Sequence, residues 1–372
     1  MTDPTFAADR REISVSRRAL TALGRIPGIA GGPLSPLARL APVPEATELA
    51  DREAMAAILD GMTGAWAWAT PALLNPSLVV ALLAGDGDTS VVGQYLWPDR
   101  RGARPGFQVF VGRETVRVSG PLAVADVELA CFNMVPLAGV AETAGARMTL
   151  GLDEFWAMLA LLDAYRIAVL RRRLSRAGGY PAGVSAEDLV AAWRAGLAQL
   201  DPGWAVSLFA LLRPDLVPAD FEGRVASVVA GLDGSGLLVL LPGEPGDSLG
   251  DVFVFGEGLE ALFGSVMTGV VQVGLGAERL AAGNTIEFTS IGGWRTADGF
   301  WLADLSEIPP RGTGQVTLAL IGPHAFASMV GGALAGPAVA DLPEALAAVD
   351  AAAAQVVPAA LAAGLRSAPT GG

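Results

Sequence analysis

The sequence predicts an α+β fold of two pseudo-repeated halves, each an antiparallel β-meander packed with helices. Three observations carry that expectation. Of the 372 residues, 52% are apolar and 17% charged, so the chain can bury enough surface to offset its conformational entropy. The apolar period switches along the chain between the 3.6 of a helix and the 2 of a half-buried strand. Finally, one order of elements (helix, strand, strand, hairpin partner, strand) occurs twice, at 78–84, 91–97, 107–111, 115–119 and 127–132, and again at 259–267, 270–275, 285–291, 300–305 and 316–321. A proline, Pro136 or Pro323, follows each last strand. The similarity is one of pattern, not of residue identity.

The elements follow in order. Residues 14–24 read as a short helix, and the Gly- and Pro-rich stretch 28–44 as a connector. Helix resumes over 45–63. A further helix is expected over 76–84, with Asn75 as N-cap and Pro76 in the first turn. The period then becomes two, giving strands at 91–97, 106–111, 115–119 and 127–132. In the hairpin around Gly112, Phe107, Val109 and Val111 alternate with Gln108 and Phe110, and Val116 and Val118 with Arg117, one face apolar and the other partly polar. That alternation suits an antiparallel sheet backed on one side.

The longest helical pattern covers 152–176, with Phe155, Leu159, Leu162, Ile167, Leu170 and Leu174 at spacings of three to five. Gly178, Gly179 and Pro181 stop it, and the boundary between a half at 1–178 and one at 185–372 is placed there. Ser185 followed by Asp188 opens the next helix as a capping box. Helices are expected at 185–200, 203–212 and 219–231, and strands at 237–241 and 252–255 with a loop between them. After the second meander, one helix begins at Pro323 and an Ala-rich helix spans 341–364.

Composition excludes several chemistries. All 25 basic residues are Arg, against 38 acidic residues, for a net charge of −13. Without Lys there is no Schiff-base chemistry, no pyridoxal phosphate enzyme and no ordinary P-loop. The acidic balance argues against nucleic acid as a partner. The one dense basic run, Arg171, Arg172, Arg173 and Arg176, ends a helix, where cations suit the dipole. One Cys and one His, Cys131 and His324, supply neither a disulfide nor a structural zinc site. No signal peptide and no long apolar span are visible, so a cytoplasmic protein that is not membrane-embedded is expected.

Candidate sites are few. Gly256-Glu257-Gly258-Leu259-Glu260-Ala261 follows a strand and precedes a helix, the context of a dinucleotide fingerprint. Glu257 and Glu260 put negative charge where a pyrophosphate would sit, and suit a plain helix start better. No cofactor is therefore assigned. His324 stands at a helix start, and a general base there would need a group to orient it. Asp86 and Asp88 lack the rest of a calcium loop. The aromatic hairpin is more suggestive: Trp294, Arg295 and Trp301 are assigned to a partner-binding surface, because an exposed Trp beside an Arg makes a hot spot. Phe300 and Trp301 are adjacent in a strand and point to opposite faces.

The run Leu74-Asn75-Pro76-Ser77-Leu78-Val79-Val80-Ala81-Leu82-Leu83, followed by the strand at 91–97 and the hairpin at 107–119, resembles the N-terminal half of EspG proteins. These are cytosolic chaperones of type VII (ESX) secretion, and the resemblance covers residues 70–185 at the level of pattern. It implies an α+β fold of two related halves and a protein without catalysis that binds a helical PE–PPE substrate pair. No motif of the second half matches, so no binding residue carries over. The expected function is a non-enzymatic protein-binding chaperone or adaptor. The alternatives are an enzyme using Asp, Glu and Arg with a nucleotide or flavin near Gly256 and Ala261, and a structural subunit of a larger assembly.

Overall fold

The computed structural model describes residues 11–23, 32–36, 48–64, 66–86, 90–98, 106–111, 114–141, 146–176, 183–234, 238–242, 252–256, 271–281, 285–296, 298–309 and 314–335. Its centre is one ten-stranded antiparallel sheet. The strands are β1 (Arg11–Ser16), β2 (Leu78–Gly85), β3 (Ser90–Trp97), β4 (Gly106–Val111), β5 (Thr115–Leu122), β6 (Arg147–Gly151), β9 (Val271–Leu280), β10 (Ile286–Arg295), β11 (Phe300–Asp304) and β12 (Gln315–Ile321), in the order β1-β5-β4-β3-β2-β9-β10-β11-β12-β6. A separate two-stranded ribbon pairs β7 (Leu238–Leu241) with β8 (Val252–Phe255).

The two expected meanders are therefore one continuous sheet. Their seam is the β2–β9 pair, which runs from Leu78 opposite Arg279 to Gly85 opposite Gln272. β6, from the N-terminal side of residue 178, pairs with β12 from beyond residue 185.

Helices cover both faces. On one face, α1 (Arg17–Leu23), α2 (Glu48–Thr63) and α3 (Thr70–Leu74) enclose Val79, Leu96, Phe107, Val109, Val116 and Val118. On the same face of the other half lie α5 (Leu152–Leu174), α6 (Ala186–Gln199), α7 (Ala205–Leu212) and α8 (Phe221–Gly234), over Leu83, Trp294, Trp301, Val316 and Leu318. The opposite face carries α4 (Val124–Met134) and α9 (Pro323–Ala335), which cover Leu78, Val80, Leu82, Val273, Leu275 and Phe300. Alternate residues of β2 thus enter different cores, as period-two alternation requires.

Several expectations change. The stretch 76–84 leads into β2 (Leu78–Gly85) and is not a helix: an unbroken apolar run buried on both faces is a central strand, and periodicity alone does not separate it from a buried helix. Asn75 does not start a helix but closes α3, its N–H bonding Pro71 O at 2.9 Å while its Oδ1 accepts from Gly32 N at 2.8 Å. Residues 127–132 lie in α4, not a strand. Val127 and Cys131 are buried at an i, i+4 spacing, and Asp126 Oδ2 accepts the Ala123 N–H at 2.6 Å in front of the first turn. The stretch 14–24 is split: Arg11–Ser16 pairs with β5, and Ser16 Oγ then accepts from Ala19 N at the start of α1. β6 and α3 are elements without a counterpart in the expectation. The stretches at 259–267 and 341–364 lie outside the described residues.

The Gly-rich strands β9 and β10 run several residues further than expected, and Gly274, Gly276 and Gly292 face α7. A Cβ on Gly292 would fall 2.6 Å from Leu212 Cδ1 and 2.8 Å from the Phe209 ring. The bare backbone lets α7 lie directly on the sheet. Among the described residues no helix is long and apolar enough to cross a membrane.

Candidate protein-binding surface

The single cysteine and the single histidine lie in opposite surroundings. Cys131 is buried between α4 and the sheet, where burial, helped by Glu128, pushes its thiol up to about 12. It packs as a small apolar residue. His324 is exposed in the first turn of α9, and no group of three His, Cys, Asp or Glu residues suited to a metal occurs among the described residues.

Buried charge serves packing. Asp163 on α5 is 1% exposed and accepts both Ala205 N and Val206 N at 2.9 Å, fastening the first turn of α7. Burial pushes it up to about 6, against the pull of those two amides and of Arg166, 4.0 Å away. Arg166 Nη1 and Gln272 Nε2 both donate to Gly203 O, at 2.8 and 2.7 Å, so the loop before α7 is held to the helix layer and to the sheet seam together. Buried Arg213 donates to the carbonyls of Leu305 and Ile308 and pairs with Asp215.

The residues assigned to a partner surface are engaged internally. Trp294 and Trp301 are cross-strand neighbours on β10 and β11, 0% and 4% exposed, in the core below α5–α8. Phe300 points the other way and stacks on Phe326 at 4.2 Å. Arg295 donates to Pro136 O at 2.7 Å and to Ala138 O at 2.9 Å, tying β10 to the segment after α4. Alternation separates Phe300 from Trp301, as expected, but helices cover both faces, so neither indole is offered to a partner. Of the glycine motif, Gly256 is buried and Glu257 to Ala261 lie outside the described residues.

A cleft of about 890 Å³ opens beside the start of α5, lined by Asp153, Glu154, Asp215, Val217 and Arg224 among others. Its charges are already matched. Asp153 pairs with Arg224, Glu154 accepts the Gly151 N–H at 2.7 Å, and Arg213 holds Asp215 below the usual carboxylate range.

The unspent surface is apolar. In the ribbon, Leu238 opposite Phe255 and Leu240 opposite Phe253 form one face, and Val239 opposite Val254 and Leu241 opposite Val252 form the other. The first face turns inward at one end: Leu238 is buried, Phe253 packs on the core and Phe255 lies 5.3 Å from the Tyr165 ring, while Leu240 is 38% exposed. On the second face Val239 is 43% and Leu241 44% exposed, beside half-buried Val252 and Val254. A second apolar group, Val91, Val92, Phe110 and Val111, is exposed where β3 begins and β4 ends. The signal for the ribbon was legible: both strands are apolar at every position, without the alternation of a strand with one wet face.

No family model matches this sequence, and no curated protein matches it.

Proposed function

We propose that this chain is a non-enzymatic, protein-binding chaperone or adaptor that works in the cytosol, in the manner of the EspG chaperones of type VII secretion. The observation that carries the reading is the outer face of the β7–β8 ribbon, where exposed Val239 and Leu241 lie across from half-buried Val254 and Val252 to form an aliphatic strip. Such strips on folded chains are sites of association. The single cysteine, buried and protonated, fits a reducing compartment.

The reading includes two pseudo-repeated halves. In support, β1 and α1 precede the meander β2-β3-β4-β5 and the helix α4, and β6 and α5 precede the meander β9-β10-β11-β12 and the helix α9. The edge strand pairs with the last meander strand in both cases, β1 with β5 and β6 with β12, and the two meanders meet at their first strands.

The test is recovery of a client from the native host by the tagged chain and by a Leu241→Asp/Val254→Asp variant with unchanged circular dichroism. A client recovered in stoichiometric amount by the wild type and lost from the variant supports the reading. Equal recovery by both, or no client with either, overturns it.

A further inference from the structure

We propose that the C-terminal end of α5 docks an acidic segment of a partner protein, one that carries apolar residues among its carboxylates. The inference rests on the protein-binding reading and names the chemistry of one partner segment.

Four of the 25 basic residues, Arg171, Arg172, Arg173 and Arg176, fall within six positions of a chain whose net charge is −13. Basic residues at a helix C-terminus are expected from the dipole alone. The dipole does not account for what lies between them. Leu170 is 46% and Leu174 85% exposed, the latter the most exposed of the large apolar residues described. At about 100° per residue, Arg173, Leu170, Leu174 and Arg171 follow one another around the helix over an arc of about 160°. Two leucines are thus flanked by an arginine on each side, while Arg172 lies on the far side and is only partly exposed.

Among the described residues, counter-charge at this helix end is slight. Asp188 Oδ1 lies 3.7 Å from Arg171, while its Oδ2 accepts from the amide and hydroxyl of Ser185 at the start of α6. The Arg171 side chain remains 70% exposed. An exposed apolar pair between guanidinium groups is complementary to a helix or strand bearing carboxylates around an apolar residue. A protein segment fits better than an extended polyanion. The patch is about one helical turn long, and the acidic remainder of the chain repels a nucleic acid or an anionic bilayer.

The test uses the full chain and a fluorescent helical peptide of Glu, Leu and Ala, about five turns long, with binding read by anisotropy in low salt. We expect Arg171→Glu/Arg173→Glu and Leu170→Ser/Leu174→Ser each to weaken binding at least tenfold with unchanged circular dichroism. Salt near 0.5 M should weaken the wild type similarly. The proposal is overturned if either double variant binds like the wild type, or if the same peptide with Lys for Glu binds as well. It is equally overturned if phosphatidylserine vesicles or single-stranded DNA bind more tightly than the peptide. The ribbon variant Leu241→Asp/Val254→Asp should bind the peptide like the wild type, so a failure of client recovery and a failure here are told apart.

Discussion

Replacing Asp163 by asparagine should make the stability difference from the wild type depend on pH in one direction. Asp163 is buried on α5 and takes the two leading amides of α7, and burial holds its pKa at about 6, above the ordinary 3.8. A raised carboxyl pKa means that the folded state binds the proton more tightly than the unfolded state. Its stabilising contribution is therefore complete below about pH 4 and is lost as pH rises through about 6. At 1.36 kcal/mol per pH unit the whole effect is about 3 kcal/mol, of which about 2 kcal/mol falls between pH 4.5 and 7.5. An asparagine side chain has no such proton to lose. It keeps one acceptor for α7 and gives up the other, at a pH-independent cost of about 1–3 kcal/mol. Urea unfolding of both proteins, followed by tryptophan fluorescence from pH 4.5 to 7.5, isolates the group, because other titrations cancel in the difference. The Asp163→Asn variant should gain on the wild type by about 2 kcal/mol over that range. A flat difference, or one that moves the other way, would refute the reasoning. It would mean that the two amides and Arg166 outweigh burial and keep the carboxylate charged.

Three further outcomes are expected. Gly292→Ala should lower stability by about 1–3 kcal/mol, since its Cβ meets Leu212 and Phe209 below contact distance; an unchanged urea midpoint would mean that α7 gives way freely. Trp294→Ala should cost about 3–5 kcal/mol, because the indole is wholly buried against Phe209; a stable variant deficient only in partner binding would return this residue to the surface. Cys131, with its thiol pushed up to about 12, should resist a thiol reagent in native protein and react on unfolding. Rapid stoichiometric labelling of the native chain would contradict its burial.

The class of the fold was legible where periodicity was long or alternation clean. The repeated spacing of α5 and the alternation across β4 and β5 both gave the right element. The capping box at Ser185 formed as expected, with Ser185 Oγ accepting Asp188 N at 3.1 Å. Where an apolar run was short, tertiary burial decided, and the local pattern could not. β2 is apolar at every position because it is the seam of the sheet, and α4 is apolar at strand-like positions because it lies flat on one face. β6 was hidden for another reason: its five residues, Arg147 to Gly151, hold few apolar side chains and gain strand geometry from pairing with β12.

The same physics explains why the aromatic hairpin misled and where apolar surface is left. Alternation places adjacent residues on opposite faces but does not say whether a face is covered. Trp294 and Trp301 look like contact residues because they are large, yet a sheet with helices on both faces buries its largest side chains first. The ribbon lies outside that arrangement. Its two strands are apolar on both faces, the fold packs Leu238, Phe253 and Phe255 against Tyr165 and the core, and Val239, Leu240 and Leu241 stay exposed beside half-buried Val252 and Val254. At about 25 cal/mol per Å², an aliphatic strip left in water is a standing cost that a partner can recover. Charge at Val239 and Leu241, the exposed part of that strip, should therefore abolish association while leaving folding intact, because it adds desolvation to a contact with the partner.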